Sequence, residues 1–343
     1  MIKVFIIDDS LMVRNALVRA LKDDKEIHII GEANNPVDAF STFKTVGLPD
    51  VFILDIEMPK MDGLSFLKQI NEQKPIPVII CSTLVTQGSS AAIDALSLGA
   101  FDIIEKPKVN IKGFIDEYKE NLRQTIKASV GAKTTYKKTT YKEVIDKQEI
   151  INGASKNIVA IGSSTGGVQV IEEIAMHLVP NHRGIVITQH MPEGFTKSFA
   201  QRLNKSVPNS NVYEAKDGDI IKDSTIYIAP GGLHMKVIAK GGHFVIKIED
   251  FERVNSHRPS VNVLLHSVAL SAKDKAIGFI LTGMGDDGAE GLLAMRQAGA
   301  KTYAQNEKTA TVFGMPRVAL ELGAAIKDLS IFEITKTINT KET

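Results

Sequence analysis

Short apolar runs alternate with amphipathic stretches over the first third of the chain. Val4–Ile7, Ile27–Ile30, Val51–Leu54, Val78–Cys81 and Phe101–Ile104 are short, rich in β-branched and aromatic residues, and read as strands. Between them Met12–Leu21, Pro36–Thr45, Leu64–Ile70 and Ser90–Leu98 carry helical spacing, and Ile111–Ser129 is a fifth such stretch. Strand-helix alternation of this kind predicts a doubly wound parallel sheet. The pattern resumes further on. Asn157–Ile161, Gly184–Thr188, Thr225–Ile228 and Ala276–Leu281 read as strands, with helices such as Val168–Leu178 and Gly288–Gln297 between. The segment from Ala132 to Lys142 is rich in Lys and Thr and has no apolar period, so it cannot bury enough surface to offset its ordering entropy. The expected organisation is α/β, two doubly wound parallel-sheet domains at 1–127 and 157–343, joined by a linker at 128–156.

Composition narrows the class. The chain has 343 residues, 43% hydrophobic and 24% charged, enough for two cores. No apolar run approaches the ~18 residues of a membrane span, and Val4–Ile7 meets Asp8 and Asp9 too early for a secretory signal. Cys81 is the only cysteine, which excludes an internal disulfide and a thiolate metal cluster and fits a reducing cytoplasm. Net charge is +1 overall; by segment it is −3 over 1–127, +3 over 128–156 and +1 over 157–343. Nothing in that balance suggests a nucleic-acid or membrane binder.

In doubly wound sheets ligands bind beyond the carboxyl ends of the strands. In the first domain that rule selects Asp8 and Asp9 after the first strand, Asp55 after the third, Ser82 and Thr83 after the fourth, and Lys106-Pro107 after the fifth. Three carboxylates on one sheet edge repel unless a cation joins them, and Mg2+ suits all-oxygen ligands while keeping waters. Asp9 and Asp55 are the expected direct ligands, with Asp8 acting through water. The Lys106 ammonium and the Ser82 hydroxyl suit a site that gains negative charge, so Asp55 reads as a carboxylate nucleophile toward a phosphoryl donor. Any one of these aspartates alone is more simply a turn or helix cap; it is their joint placement that argues otherwise.

In the second domain three strands run into unusual sequences: Gly162-Ser163-Ser164-Thr165-Gly166-Gly167, Gln189-His190-Met191-Pro192, and Thr282-Gly283-Met284-Gly285-Asp286-Asp287-Gly288. A serine, a histidine and an acid at three strand ends are what acyl transfer needs, because a hydroxyl attacks well only when an imidazole takes its proton and a carboxylate orients that imidazole. Singly each is weak. The Gly/Ser run is also compatible with a phosphate cradle or a plain cap, although it lacks the P-loop lysine and fails G-x-G-x-x-G. His190 alone reads as a structural histidine, and Asp287 as an N-cap of the helix that follows. The remaining histidines lack zinc-ligand spacing.

Residues 1–127 resemble the receiver domain of bacterial two-component response regulators. The resemblance rests on Asp8-Asp9-Ser10, Asp55 with Met58-Pro59 and Asp62-Gly63, Ser82, and Lys106-Pro107. It implies a flavodoxin-like fold, phosphorylation of Asp55 by a histidine kinase, Mg2+ dependence, Ser82 and Lys106 as switch residues, a cis bond at Lys106-Pro107, and a backbone carbonyl from Glu57 to the metal. Glutamate is atypical at that place. The order Ser, His, Asp along the chain differs from that of α/β-hydrolases, chymotrypsin and subtilisin. With Ile228-Ala-Pro-Gly-Gly232, His257-Arg-Pro-Ser-Val261 and Val312-Phe-Gly-Met-Pro316 it makes Asn157–Ser330 resemble the catalytic domain of the chemotaxis protein-glutamate methylesterase family.

That second resemblance implies Ser164 as nucleophile, His190 as general base and then acid, and Asp287 as the orienting acid. Asp287 is preferred to Asp286 because it precedes Gly288 in the family's G-M-G-x-D-G pattern. Backbone amides at Thr165–Gly167 and Met284 are the expected oxyanion donors, and no cofactor is implied for ester hydrolysis. The implied substrates are glutamyl methyl esters, and specific glutamines, on chemoreceptors, with cytoplasmic location, recruitment to receptor arrays, and a receiver that represses the esterase until Asp55 is phosphorylated. Asn262 departs from the family, which usually has Asp there. Two other readings compete. A DNA-binding output would need a basic helix stripe that 157–343 lacks, and a non-catalytic adaptor would reduce the three motifs to glycine turns and caps.

Overall fold

The computed structural model describes residues 1–82, 86–106, 114–132 and 153–340, with backbone alone at 86–89 and 114–117. The expectations for Thr83, for the cis bond at Pro107 and for the Lys/Thr-rich run after Ala132 lie outside the described residues. The described chain divides into two compact units, one on each side of 133–152.

The first unit comprises β1 (Ile2–Ile7), α1 (Leu11–Leu21), β2 (Ile27–Ala33), α2 (Pro36–Val46), β3 (Val51–Leu54), α3 (Gly63–Gln73), β4 (Val78–Ser82), α4 (Thr86–Ser97), β5 (Asp102–Glu105) and α5 (Phe114–Val130). All strand pairs are parallel, in the order β2-β1-β3-β4-β5. The inner strands are uninterrupted apolar runs because both faces are covered by helices. The first three strand-to-helix turns are closed by a short polar cap: Ser10 accepts from Val13 N–H, Asn35 from Asp38 N–H, and Asp62 from Ser65 N–H. Strand order reverses between β1 and β3, which makes the crevice beyond Ile7 and Leu54 the switch point.

The second unit comprises β6 (Ile158–Ser163), α6 (Gly167–Met176), β7 (Gly184–Gln189), α7 (Phe195–Ser206), β8 (Asn211–Glu214), β9 (Thr225–Ile228), β10 (His234–Lys240), β11 (His243–Glu249), α8 (Val261–Ser271), β12 (Ala276–Ile280), α9 (Ala289–Gln297), β13 (Lys301–Gln305), α10 (Met315–Glu321), β14 (Lys327–Leu329) and α11 (Ile331–Asn339). Seven parallel strands run in the order β14-β13-β12-β6-β7-β9-β8, and order reverses between β6 and β12. β10 and β11 form a separate antiparallel hairpin turned by Gly241-Gly242, both with positive φ. α8 is apolar nearly all round because it is sandwiched: Val261, Leu264, Leu265 and Val268 join one core with Met235, Val237 and Ile246 of the hairpin and Ile158, Ala160 and Ile280 of the sheet.

Ordered structure reaches past both ends of the expected linker. α5 continues to Val130. At the other end Ser155 N–H donates to Ile221 O, and Gly184 N–H donates to Ser155 Oγ, so residues 153–156 fold with the second unit.

Candidate active site

Ser164 follows β6, His190 follows β7, and Asp287 lies in the loop after β12, so all three stand at the carboxyl ends of strands at or next to the switch point. Backbone hydrogen bonds fix their mutual register. Ser164 N–H donates to Thr282 O at 3.0 Å, and His190 N–H donates to Ser163 O at 3.0 Å. Gln189 braces the turn: its Nε2 donates to Ser164 O at 2.9 Å, while Ser163 Oγ donates to its Oε1 at 2.6 Å.

His190 Nε2 lies 2.8 Å from Asp287 Oδ2. The opposite ring nitrogen, Nδ1, is buried and has no hydrogen-bond partner. With Asp287 ionised the proton sits on Nε2, so Nδ1 is the nitrogen free to act as base. This presents the ring the other way round from the serine-protease template, in which Nδ1 faces the acid.

Asp287 does cap a helix, but not the one expected. Its carboxylate sits on the N-terminus of α8, accepting from Val261 N–H at 2.6 Å, Asn262 N–H at 3.0 Å and Ser260 Oγ–H at 2.9 Å. α9 instead starts at Gly288 with no side-chain cap. Burial acts to raise the carboxyl pKa, but the hydrogen bond from His190, the charge of that imidazole and the two N–H groups hold it below the usual carboxylate range. Asp286, its neighbour, is exposed. Asn262, the departure from the family pattern, accepts at Oδ1 from Gly291 N–H at 2.8 Å and donates from Nδ2 to Asn255 Oδ1 at 3.2 Å.

The Gly283-Met284 loop comes close to Ser164. A Cβ on Gly283 would stand 2.7 Å from Ser164 Cβ and 2.3 Å from Met315 Sδ, so only glycine allows the approach. Gly283 N–H donates to Val312 O, and Gly283 O accepts from Met315 N–H, so the Val312–Pro316 segment braces this loop. Of the expected oxyanion donors, Gly167 must be withdrawn, because its N–H closes the turn onto Ser164 O at 2.8 Å. Thr165 and Gly166 are buried at the start of the turn, and Met284 is half-buried.

The first unit gathers its own cluster. Ligand oxygens of Asp8, Asp9 and Asp55 lie within 4.8 Å of one another. Lys106 Nζ stands 2.9 Å from Asp8 Oδ2 and 2.8 Å from Asp55 Oδ2. Burial pushes the Asp55 carboxyl up to about 6 against the lowering effect of Lys106, and Asp8 adds to the rise. Asp8 is raised too, again mainly by burial. Lys106 is raised, since its two carboxylate partners outweigh its desolvation. Ser82 is buried at the end of β4, where its carbonyl accepts from Lys106 N–H; Asp9 and Glu57 are exposed.

Sequence reasoning passed over Ser260 and His257 as individual residues, although both stand in the His257–Val261 motif. Ser260 Oγ holds Asp287, and the His257 ring stacks on His190 with centroids 3.6 Å apart. A helix start preceded by Pro259-Ser260 is a legible cap signal, but its partner is distant in sequence.

A family model described as CheB methylesterase matches residues 159–338, and a response regulator receiver domain model matches 4–113. The chain is 47% identical over 342 residues to protein-glutamate methylesterase/protein-glutamine glutaminase 3 of Leptospira interrogans, covering 97% of this chain and 98% of that protein. It is 43% identical to the protein of the same name from Shewanella oneidensis, with 98% of each covered. The crystal structure of the Thermotoga maritima CheB methylesterase catalytic domain superposes with a TM-score of 0.51 at 37% identity, covering 53% of this chain and 97% of that one.

Proposed function

The chain belongs to the CheB methylesterase family, and from that premise we propose that it hydrolyses glutamyl methyl esters of chemoreceptors with Ser164, His190 and Asp287. The observation that carries this reading is the His190 Nε2–Asp287 Oδ2 bond, with Asp287 itself anchored on the α8 N-terminus.

Ser164 Oγ attacks the ester carbonyl while His190 Nδ1 takes its proton. Asp287 remains ionised and stabilises the imidazolium through Nε2–H. Backbone N–H groups of the Thr165 turn and of Met284 are the donors assigned to the developing oxyanion. Collapse returns the proton from His190 to the departing methoxide, which leaves as methanol, and glutamyl-Ser164 remains. Water, deprotonated by the same nitrogen, attacks this ester; the products are the glutamate carboxylate and free Ser164. With a carboxamide in place of the ester the leaving group is ammonia, and the same residues convert glutamine to glutamate.

The first unit, which runs through Val130, acts as the receiver, and the second, from residue 153 on, as the catalytic domain. A histidine kinase supplies the phosphoryl group to Asp55. The donor set fits Mg2+: among the described residues, three carboxylates with converging oxygens and a single ammonium leave an excess of negative charge on hard ligands. Asp9, Asp55 and Asp8, with the Glu57 carbonyl, would hold the ion, which when bound neutralises charge on the phosphoryl oxygens. Asp55 is the nucleophile, and Lys106 and Ser82 meet the acquired charge. The protein works in the cytoplasm at receptor arrays; no described helix is long and apolar enough to cross a membrane.

Methanol release from methylated receptor tests the assignment. Ser164→Ala is expected to lower turnover by up to about 10⁶-fold while leaving Asp55 phosphorylation intact. Residual activity above about 10% of wild type would remove Ser164 from the nucleophile's role, given losses of that size. A small phosphodonor should raise wild-type turnover and leave Asp55→Asn unchanged.

A further inference from the structure

The face of the proposed catalytic base is covered by a second imidazole. His257 lies over His190 with ring centroids 3.6 Å apart and planes 15° from parallel. The backbone that delivers it is tightly built. Val254 and His257 exchange both N–H···O bonds, at 3.1 and 3.0 Å, across a two-residue turn. The turn residues, Asn255 and Ser256, both have left-handed φ, 51° and 63°, a costly conformation for residues that carry a Cβ. Two anchors hold it. Asn262 Nδ2 donates to Asn255 Oδ1, and Arg258 Nη1 donates to Asp250 Oδ1 and Phe251 O. Asn262 also donates its own N–H to Asp287, so one residue fixes both the acid and the turn that places His257.

We propose that His257 is a positioning residue for the hydrolysis, a flat support that holds the His190 ring with Nδ1 presented to Ser164 and carries that ring when it is protonated. This rests on the assignment of His190 as the base. Two contacts of His190 support it, one at its edge and one on its face. Asp287 restrains His190 at a single edge atom, which leaves the ring free to swing about that bond; a plate against its face removes the swing. When His190 takes the serine proton, the cation forms against an aromatic face rather than in an open cleft, and such contacts are favourable when water is excluded. The support must itself be uncharged. Burial, followed by the neighbouring His190 charge, pushes the His257 imidazole down to about 3, so it is neutral throughout the working range and does not repel its partner.

The test uses the full-length protein with methylated receptor, alongside the rate at which a fluorophosphonate probe labels Ser164. His257→Ala and His257→Leu are expected to lower kcat and the labelling rate by roughly tenfold with KM within about twofold. His257→Phe, which restores an aromatic face without ring nitrogens, should recover most of both rates. Leu keeps the volume filled should the Ala variant fail to fold, and thermal melting with Asp55 phosphorylation monitors integrity. Wild-type rates in both Ala and Leu would overturn the proposal; so would a Phe variant no better than Leu. His190→Gln run in parallel separates the two readings: a live His190→Gln overturns the base assignment, whereas a dead one beside an unaffected His257→Ala overturns only the role of His257.

Discussion

The two units solve the same geometric problem with opposite electrostatics. Asp55 and Asp287 are both aspartates beyond a strand flanking a switch point, exposed by only 4% and 1%. Burial alone raises both. Among the described residues Asp55 accepts one backbone N–H, from Ile56, and shares one ammonium with Asp8; burial outweighs these and its pKa rises to about 6. Asp287 accepts two helix N–H groups, a hydroxyl and an imidazole N–H, and is lowered. The difference teaches what each site is for. A carboxylate short of partners sits where a cation and a phosphoryl group can enter; a carboxylate with all its partners stays ionised and holds an imidazole still.

The largest effect that could break this comparison lies at Asp287. Asp287→Asn removes the charge that stabilises the imidazolium and places an amide among N–H donors, so kcat should fall by about 10⁴-fold. The exposed Asp286→Asn should stay within about threefold, as surface changes away from the chemistry do. A methanol-release assay on both variants decides; reversed results would make Asp286 the orienting acid and end the contrast drawn here.

Next comes pH. Because the folded pKa of Asp55 is raised, its contribution to stability is fully present below the unfolded value near 3.9 and is lost as pH climbs through about 6. Two pKa units correspond to roughly 2–3 kcal/mol. Asp287, lowered, contributes stability above the unfolded value, and loses it only as pH falls through its depressed folded value. Calorimetry of the full chain between pH 4 and 7 should therefore show the receiver transition weakening with rising pH in wild type and less steeply in Asp55→Asn, where the raised Asp8 carboxyl remains, while Asp287→Asn changes no slope in that window. Mg2+ should oppose the receiver's decline, most strongly above pH 6, where Asp55 is ionised. An Asp55→Asn slope equal to wild type would place the raised carboxyl elsewhere.

Much of this was legible because strand ends are local features. Apolar runs buried on both faces mark the strands, and the residues just beyond them, Asp8, Asp55, Ser164 and His190, follow from the topology rule. What was not legible depends on partners far apart in sequence. The Asp287 position reads locally as a cap for α9, and only the tertiary fold brings the N-terminus of α8 to it. α8 has no apolar period to read because sheet and hairpin cover it from both sides. The turn that places His257 uses Asn255 and Ser256 rather than glycine in left-handed conformation, so its turn signature is weak. The donor role expected of Gly167 failed for a related reason: a helix-start N–H is open only until a preceding carbonyl turns back to it.

The smallest expected effect probes how far the Asp287 site can be pushed toward the condition of Asp55. Asn262→Asp adds a second carboxyl group on the residue whose backbone N–H bonds Asp287. Most of the local bonding survives, because the acceptor for Gly291 N–H is retained, the N–H to Asp287 belongs to the backbone, and the Asn255 amide can turn to donate where it now accepts. Like charge nearby raises a carboxyl pKa, so Asp287 should protonate at a higher pH than before. Four partners still favour its ionised form, so at pH 7.5 kcat should fall by less than about threefold, as for a change that leaves the main bonds in place. The acid limb of the kcat profile should move upward by a fraction of a unit. A loss as large as that of Asp287→Asn would mean that the second carboxylate had made this site short of cations too, and that its low pKa depends on Asn262 being uncharged rather than on the α8 N-terminus.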